Sequence, residues 1–477
     1  MPPDRRNQRL LPRLGLLDAT ALVAGSMIGS GIFIVSADIA RHLPAPGWLL
    51  FVWALAGGLT VAGALSYGHL AAAMPRAGGV YVYLTELYGP LSGFLFGWTL
   101  VLVIQTGTIA AVAVAFATFA GRLWPALAPA PPLLALGPLA VSPVQALAVA
   151  VIVLLTALNV RGLDLGRGVQ NVFTVAKVGA LIAVIALGLA LGGGTARATN
   201  LAQPPFATGL SVTDTVLHLG AAMVGALFAA DAWANVTFTA GEVRDAPRTV
   251  PRALVLGTAL VCSLYLLTNV AYLNVLPLVG VPDGGDVLAR GIQHATADRV
   301  GTAAMERIAG GELGARIMAL AVMVSTFGCV NGLVLTGARV GWAMARDGLF
   351  FRPAGVLNAG HVPGRALCMQ GAWASVLALS GRYADLLDYV IIAELLFYLL
   401  TVGGLFVLAR RTGERPRGVA YPWLQAGYLA TVAALMLALL VAKPAYTFGS
   451  LAVVASGVPF YLVWRRRVRV DRSDAGA

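Results

Sequence analysis

Gly25-Ser-Met-Ile-Gly29-Ser30-Gly31-Ile32-Phe33 lies in the middle of an apolar run that extends from Leu16 to His42. A run of at least about 20 apolar residues crosses a bilayer, where every backbone amide must be paired within the chain, so the run is a helix. Three glycines within seven residues at its centre carry two readings. Glycines let neighbouring membrane helices approach closely. They also mark a helix that unwinds at Gly29–Gly31 and leaves amides unpaired for a ligand. A second interruption elsewhere in the chain decides between the two.

Outward from this run the same pattern recurs. Of 477 residues, 58% are hydrophobic and 11% charged, whereas a soluble domain carries roughly 25% charged residues, so lipid is the expected solvent. Spans are predicted at 16–42, 47–73, 89–119, 143–160, 169–193, 216–240, 251–275, 313–345, 366–381, 384–409, 422–442 and 446–464. These make an all-α integral membrane protein of about twelve helices, with no stretch left for a sizeable soluble domain. Arg5, Arg6, Arg9 and Arg13 before an apolar stretch resemble a signal peptide. The spans that follow favour an uncleaved first helix. Cys262, Cys329 and Cys368 each sit in an apolar run and read as small core residues.

The formal charge of +12 lies in short loops rather than on one basic face, so no nucleic-acid partner is expected. With an even number of spans both termini share a side. If that side is the cytoplasm, the inner segments hold Arg76, Arg161, Arg167, Arg244, Arg248, Arg252, Arg346, Arg410 and Arg411 together with both basic tails, and the outer segments hold far fewer. The bias places both ends inside, in a multi-pass protein of the cytoplasmic membrane. The polar connection 277–312 is then outside.

The second interruption is Phe228-Ala229-Ala-Asp231-Ala-Trp233, which puts an ionisable residue in mid-span, where it is costly without a function or a partner. At 1.5 Å per residue Gly29 is about 20 Å from the inner start of span 1, and Asp231 about 22 Å from the outer start of span 6. Both fall near the midplane, reached from opposite directions. They also open two five-helix halves of opposite topology, the pattern of an inverted-repeat transporter with its site between the repeats. The expected organisation is a tail 1–15, repeats 16–195 and 216–410, two further helices in 420–465, and a tail 466–477.

Such a site suits a zwitterion. The amides of Ser30, Gly31 and Ile32 stand at the positive end of the outer half-helix and can hold a carboxylate. The freed carbonyls of Met27, Ile28, Phe228 and Ala229 can accept from an ammonium group. Apolar Ala230, Ala232 and Trp233 favour neutral amino acids. Asp231 keeps open a cationic substrate such as Lys, Arg or ornithine.

Lys177 is one of two lysines in the chain and sits about 12 Å inside its span. It either snorkels to the inner surface or points into the bundle, with the hydroxyls of Ser325 and Thr326 as expected partners. Glu242, at the inner end of span 6, is either a solvated carboxylate whose pairs are worth about 0–1 kcal/mol or a cytoplasmic gate with Arg339 or Arg346.

At these residues the chain resembles the amino acid–polyamine–organocation superfamily, and within it the bacterial amino acid permeases near the L-type transporters. The resemblance covers nearly the whole sequence. It rests on Gly29-Ser30-Gly31-Ile32-Phe33, on Phe228 to Trp233, on Glu242-Val-Arg244-Asp-Ala-Pro247-Arg-Thr-Val-Pro251, and on Ser325-Thr-Phe-Gly-Cys-Val-Asn331-Gly with Ala338-Arg339 and Ala345-Arg346-Asp-Gly348. It implies a five-plus-five inverted repeat with two extra helices, and transport by alternating access. It also implies carboxylate binding at Ser30 and Gly31, and ammonium binding near Ile28 and Phe228. Lys177 stands where sodium-coupled relatives of the fold hold a cation, which disfavours sodium coupling. Ala230 and Ala232 depart from the common Tyr and Gly of the second break, so side-chain specificity does not carry over.

The expected function is therefore secondary transport of α-amino acids, neutral ones first, with a cationic amino acid or polyamine transporter as the alternative. A membrane enzyme would need a cluster of His, Cys or paired carboxylates. The five histidines are scattered over different segments, and neither HExxH nor GxSxG occurs. No cofactor or metal is expected, and the sequence carries no signal for a partner subunit.

Overall fold

A computed structural model describes residues 9–127, 134–136, 139–380, 383–414, 416 and 420–474. The first span is α1 (Leu16–Met27) and α2 (Gly31–His42), bent by 42° across the residues between them. α3 (Pro46–Ala73) crosses back, and α4 (Val80–Tyr88) leads into the third span. That span consists of α5 (Pro90–Thr99), a π-helical turn over Leu100–Ile104, and α6 (Gln105–Leu123). A short antiparallel hairpin, β1 (Leu134–Leu136) with β2 (Leu139–Val141), follows it and departs from the all-helical expectation.

α7 (Pro143–Arg161) and α8 (Leu163–Leu191) meet at Gly162, whose φ of 152° suits glycine. After the short α9 (Thr195–Ala202), the sixth span is α10 (Val212–Ala229) continued by a 3-10 helix at Trp233–Glu242. Next come α11 (Ala246–Val275), α12 (Val287–Arg290), α13 (Val300–Ala309), α14 (Gly311–Arg346), α15 (Gly364–Leu379), α16 (Tyr383–Thr412), α17 (Trp423–Ala442) and α18 (Pro444–Asp474). Proline in the first turn opens α3, α5, α7 and α11, where its missing N–H costs nothing.

Among the described residues ten spans are long and apolar enough to cross a membrane, and the bent pair makes an eleventh. α15, with 16 residues, is about 24 Å long and falls just short of a hydrocarbon core of about 30 Å. It corresponds to the predicted span 366–381, of which 381 lies outside the described residues. The protein is thus an all-α, multi-pass membrane protein apart from the one hairpin.

The packing has an order that the chain order does not suggest. α3 packs on α11, α6 on α14 and α7 on α15, while α2 lies on α10 and α1 on the 3-10 segment. Each of the first four spans therefore touches the span five places later. The third span and α14 are the most enclosed, whereas α8 turns Val172, Val175, Ile182 and Leu189 outward, where only lipid can meet them. Two histidines expected to be scattered also meet: His42 at the end of α2 and His218 on α10 have Nδ1 atoms 3.2 Å apart.

Candidate functional site

The break in span 1 is built by donors from three other spans. α1 stops at Met27, Ile28 is extended, and Ser30 precedes α2 without a side-chain cap. Lys177 of α8 is buried and points inward, so it does not snorkel. Its Nζ donates to the carbonyls of Gly25 (2.7 Å), Ile28 (2.9 Å) and Ser325 (2.9 Å). The Ser325 hydroxyl donates to Ile28 (3.1 Å) and Gly29 (2.9 Å), and the Cys329 thiol donates to Ser26 (2.9 Å). The expected hydroxyl partners of Lys177 need correcting. Ser325 meets it through its carbonyl, and Thr326 turns its hydroxyl back to Val322 in its own helix (2.8 Å). Cys329 is correspondingly more than core filling, and Cys368 is exposed rather than core.

The break in span 6 is built differently. α10 ends at Ala229, the Asp231 amide donates to Phe228 (3.2 Å), and Ala232 takes a left-handed conformation with φ 66°. For a residue with a side chain that conformation costs roughly 1–2 kcal/mol. It turns the chain sharply into the 3-10 segment. The Tyr398 hydroxyl of α16 donates to Asp231 Oδ1 (2.6 Å), and Glu394, one turn earlier on α16, has a buried Oε2 without a hydrogen-bond partner. Trp233 packs against the rings of Tyr67 (4.7 Å) and Tyr398 (5.4 Å). Sequence reasoning missed Glu394 and Tyr398. The signal was available, since Glu394 is the one acidic residue of the stretch 389–409, just as Asp231 is of 216–240.

A single cavity joins the two breaks. Gly29, Ser30 and Gly31 line one side, Phe228, Ala229 and Asp231 the other, and Thr108 and Val112 of α6 a third. Ile28, Ile32 and Trp233 are buried beside it and are not among its lining residues. Its volume is about 20 Å³, room for roughly one water molecule. Gly31 lets the two sides approach, because a Cβ there would sit 2.5 Å from Cβ of Ala229.

Most carbonyls expected to await an ammonium group are occupied. Met27 and Ala229 both accept from the Tyr265 hydroxyl of α11 (3.0 and 3.1 Å), and Ile28 accepts from Lys177 and Ser325. The first amides of α2 stay uncapped beside the cavity, with Asp231 across it.

A profile of the family described as "Amino acid permease" matches residues 14–464. The chain belongs to the amino acid permease family. It is 30% identical to the human protein named Asc-type amino acid transporter 1, over 98% of this chain and 85% of that one. It is 28% identical to human b(0,+)-type amino acid transporter 1, over 97% and 89%. To the serine/threonine exchanger SteT of Bacillus subtilis it is also 28% identical, over 87% of each chain. This permease is an amino acid transporter and not an enzyme.

The far end of span 6 in the permease is locked by an ion pair. Arg339 of α14 meets Glu242 in a two-pronged pair at 2.8 and 2.9 Å, with both side chains 1% exposed, and also donates to the Leu335 carbonyl. Burial removes the solvated reading of Glu242. Of the two expected partners Arg339 is the one it meets, from within α14, and Arg346 stands elsewhere. The Arg346 guanidinium lies over the Trp342 ring (5.3 Å) and borders a surface pocket of about 530 Å³ with Arg76, Tyr81, Asp347 and Arg465. There the Tyr81 hydroxyl donates to Asp347 (2.7 Å), and burial followed by the neighbouring Asp347 charge pushes the Tyr81 phenol upward. The Glu242 carbonyl accepts the amides of Arg13 (2.8 Å) and Leu14 (2.9 Å), which ties the N-terminal segment to the same lock.

Proposed function

We propose that the permease carries neutral α-amino acids through the cavity between its two breaks, by alternating access and without sodium. The observation that carries this reading is the pairing of an uncapped helix N-terminus with a carboxylate across one cavity. A zwitterion satisfies both at once, with its carboxylate on the amides of Ser30, Gly31 and Ile32. Its ammonium group has Asp231 and the remaining lone pairs of Phe228 and Ala229, since the Ile28 carbonyl already has two donors. The walls otherwise offer Val112, Ala229 and Ala232, which suit a small uncharged side chain.

Contact of spans 1–4 with the spans five later supports two inverted repeats, 16–195 and 216–410, that rock against each other about this cavity. The Lys177 ammonium fills the space between α1, α8 and α14 that a coupling cation would need. Glu242 and Arg339 form the inner gate, closed here, and the arginine bias puts both termini in the cytoplasm. Exchange is the favoured mode, given a relative named as a serine/threonine exchanger. A second reading, a cationic substrate, rests on the Asp231 carboxyl group lining the cavity.

The test is competition for labelled L-serine uptake into proteoliposomes. Neutral amino acids should compete, and ethanolamine, which lacks the carboxylate, should not. Equal competition by ethanolamine would remove the carboxylate site, and competition by arginine but not by alanine or leucine would favour the second reading.

A further inference from the structure

The pocket of about 530 Å³ at the C-terminal end of α14 has no part in the transport path, and its make-up suits an anion. It lies where α4, the start of α5, the exit of α14 and α18 meet. Three guanidinium groups line it, those of Arg76, Arg346 and Arg465. Two carboxyl groups line it as well, and both already have donors. Glu86 pairs with Arg76, and Asp347 accepts from the Tyr81 hydroxyl (2.7 Å). Three cations against two anions leave one positive charge, which is the charge that a phosphodiester cancels. Arginine is also the side chain whose forked N–H groups meet two phosphate oxygens at once.

The surroundings favour a lipid as the source of that phosphate. Arg465 opens a run of five arginines, Arg465, Arg466, Arg467, Arg469 and Arg472, directly after the last span. Such a cluster beside a membrane helix attracts anionic lipid. Pro90 and Tyr461 line the pocket, and their neighbours Leu91, Leu462 and Val463 are exposed, where in a bilayer only acyl chains cover them. A headgroup in the pocket thus has its tails beside the apolar side chains of α5 and α18. We propose that the permease holds the phosphodiester headgroup of one anionic phospholipid between Arg76, Arg346 and Arg465. The lipid ties α14 to α18 and to the corner between α4 and α5. Arg346 stands about 10 Å along α14 from Arg339, so the bound lipid fixes the end of the helix that supplies the partner of Glu242. The site does not depend on what the central cavity carries.

Delipidated permease in detergent, titrated with phosphatidylglycerol, tests this, with bound lipid counted by native mass spectrometry and thermal unfolding followed in parallel. One phosphatidylglycerol molecule should bind more tightly than any other and raise the unfolding temperature. Phosphatidylcholine and phosphatidylethanolamine, whose headgroups are neutral overall, should do neither. R465Q should weaken that one molecule about tenfold. R466Q removes the same charge from the next residue, which is exposed and does not line the pocket, and should weaken it about twofold at most. Equal losses in the two variants would mean diffuse attraction to the basic tail and would overturn the proposal. Equal protection by phosphatidylcholine would overturn it as well, and glycerol 1-phosphate protecting as well as the lipid would overturn the lipid as the source. Arg465 is exposed near the end of α18, so its replacement spares the core, and R346Q on the opposite wall repeats the test should R465Q fail to fold.

Discussion

The two breaks occupy corresponding places in the chain and are finished with opposite chemistry. At both, an α-helix stops in mid-span and its last carbonyls take donors from outside the helix's own ladder. At the end of α1 every neighbour is a donor: the Lys177 ammonium, the Ser325 and Tyr265 hydroxyls and the Cys329 thiol. A cation at a helix C-terminus is the stabilising arrangement. At the end of α10 the Tyr265 hydroxyl is joined by the Asp231 carboxyl group, and a negative charge there is the destabilising arrangement. The first break is thus complete without a ligand and the second is not. What spans 1 and 6 share is α14, which braces the first break through Ser325 and Cys329 and the far end of span 6 through Arg339.

The largest effect should come from cutting the brace on the second break. E242A leaves the Arg339 guanidinium buried without its partner, a loss of about 3–5 kcal/mol. Thermal unfolding of the detergent-solubilised protein should register it. The double variant E242L/R339L should recover most of that loss, and a single variant as stable as wild type would mean the pair is solvated after all.

Next comes the cation of the first break. K177M removes the donor to three carbonyls, of which Ile28 keeps the Ser325 hydroxyl, so a loss of about 1–3 kcal/mol is expected. Serine counterflow should fall strongly while the ranking of competing amino acids stays the same. A changed ranking would mean that Lys177 touches the substrate.

The smallest effect sharpens the contrast from the other side. Ala232 holds a left-handed conformation that glycine adopts freely, and A232G should stabilise the protein by up to about 1 kcal/mol. The same unfolding measurement checks it, and a loss of stability would show that the Ala232 methyl packs better than its backbone is strained.

Much of this was legible in the sequence because hydrocarbon permits few alternatives. Glycines grouped in mid-span, a lone aspartate in mid-span and a deep lysine each have few physical readings, and all three lie where two broken helices meet. Ends were less legible where helices outrun the apolar band. α8 was expected from 169 and begins at Leu163, because Asp164 and Arg167 lower the hydropathy while pairing with Arg13 and Asp18. Side-chain partnerships across the bundle were the least legible. Tyr398 lies 167 positions from Asp231. No local pattern reports that α16 faces the second break, or that Tyr265 bridges the carbonyls of both breaks. The occupied Ile28 carbonyl has the same origin: an open break shows in the sequence, but the side chains that fill it arrive from α8 and α14.

The π-helical turn at Leu100–Ile104 sets the phase of the third span. The Gln105 amide donates across it to the carbonyl of Leu100, five residues back. One residue more than an α-helical turn needs shifts everything beyond it by about 100° around the axis. Below the turn Trp98 stacks on Phe460 of α18 (4.4 Å), and above it Gln105 reaches the Leu333 carbonyl (2.7 Å) while Thr108 and Val112 look into the cavity. An unbroken α-helix would present those two sets in a different angular relation and could serve one neighbour or the other. The third span therefore works as two screws of unequal timing on one shaft: its lower thread engages α18, and its upper thread faces the cavity.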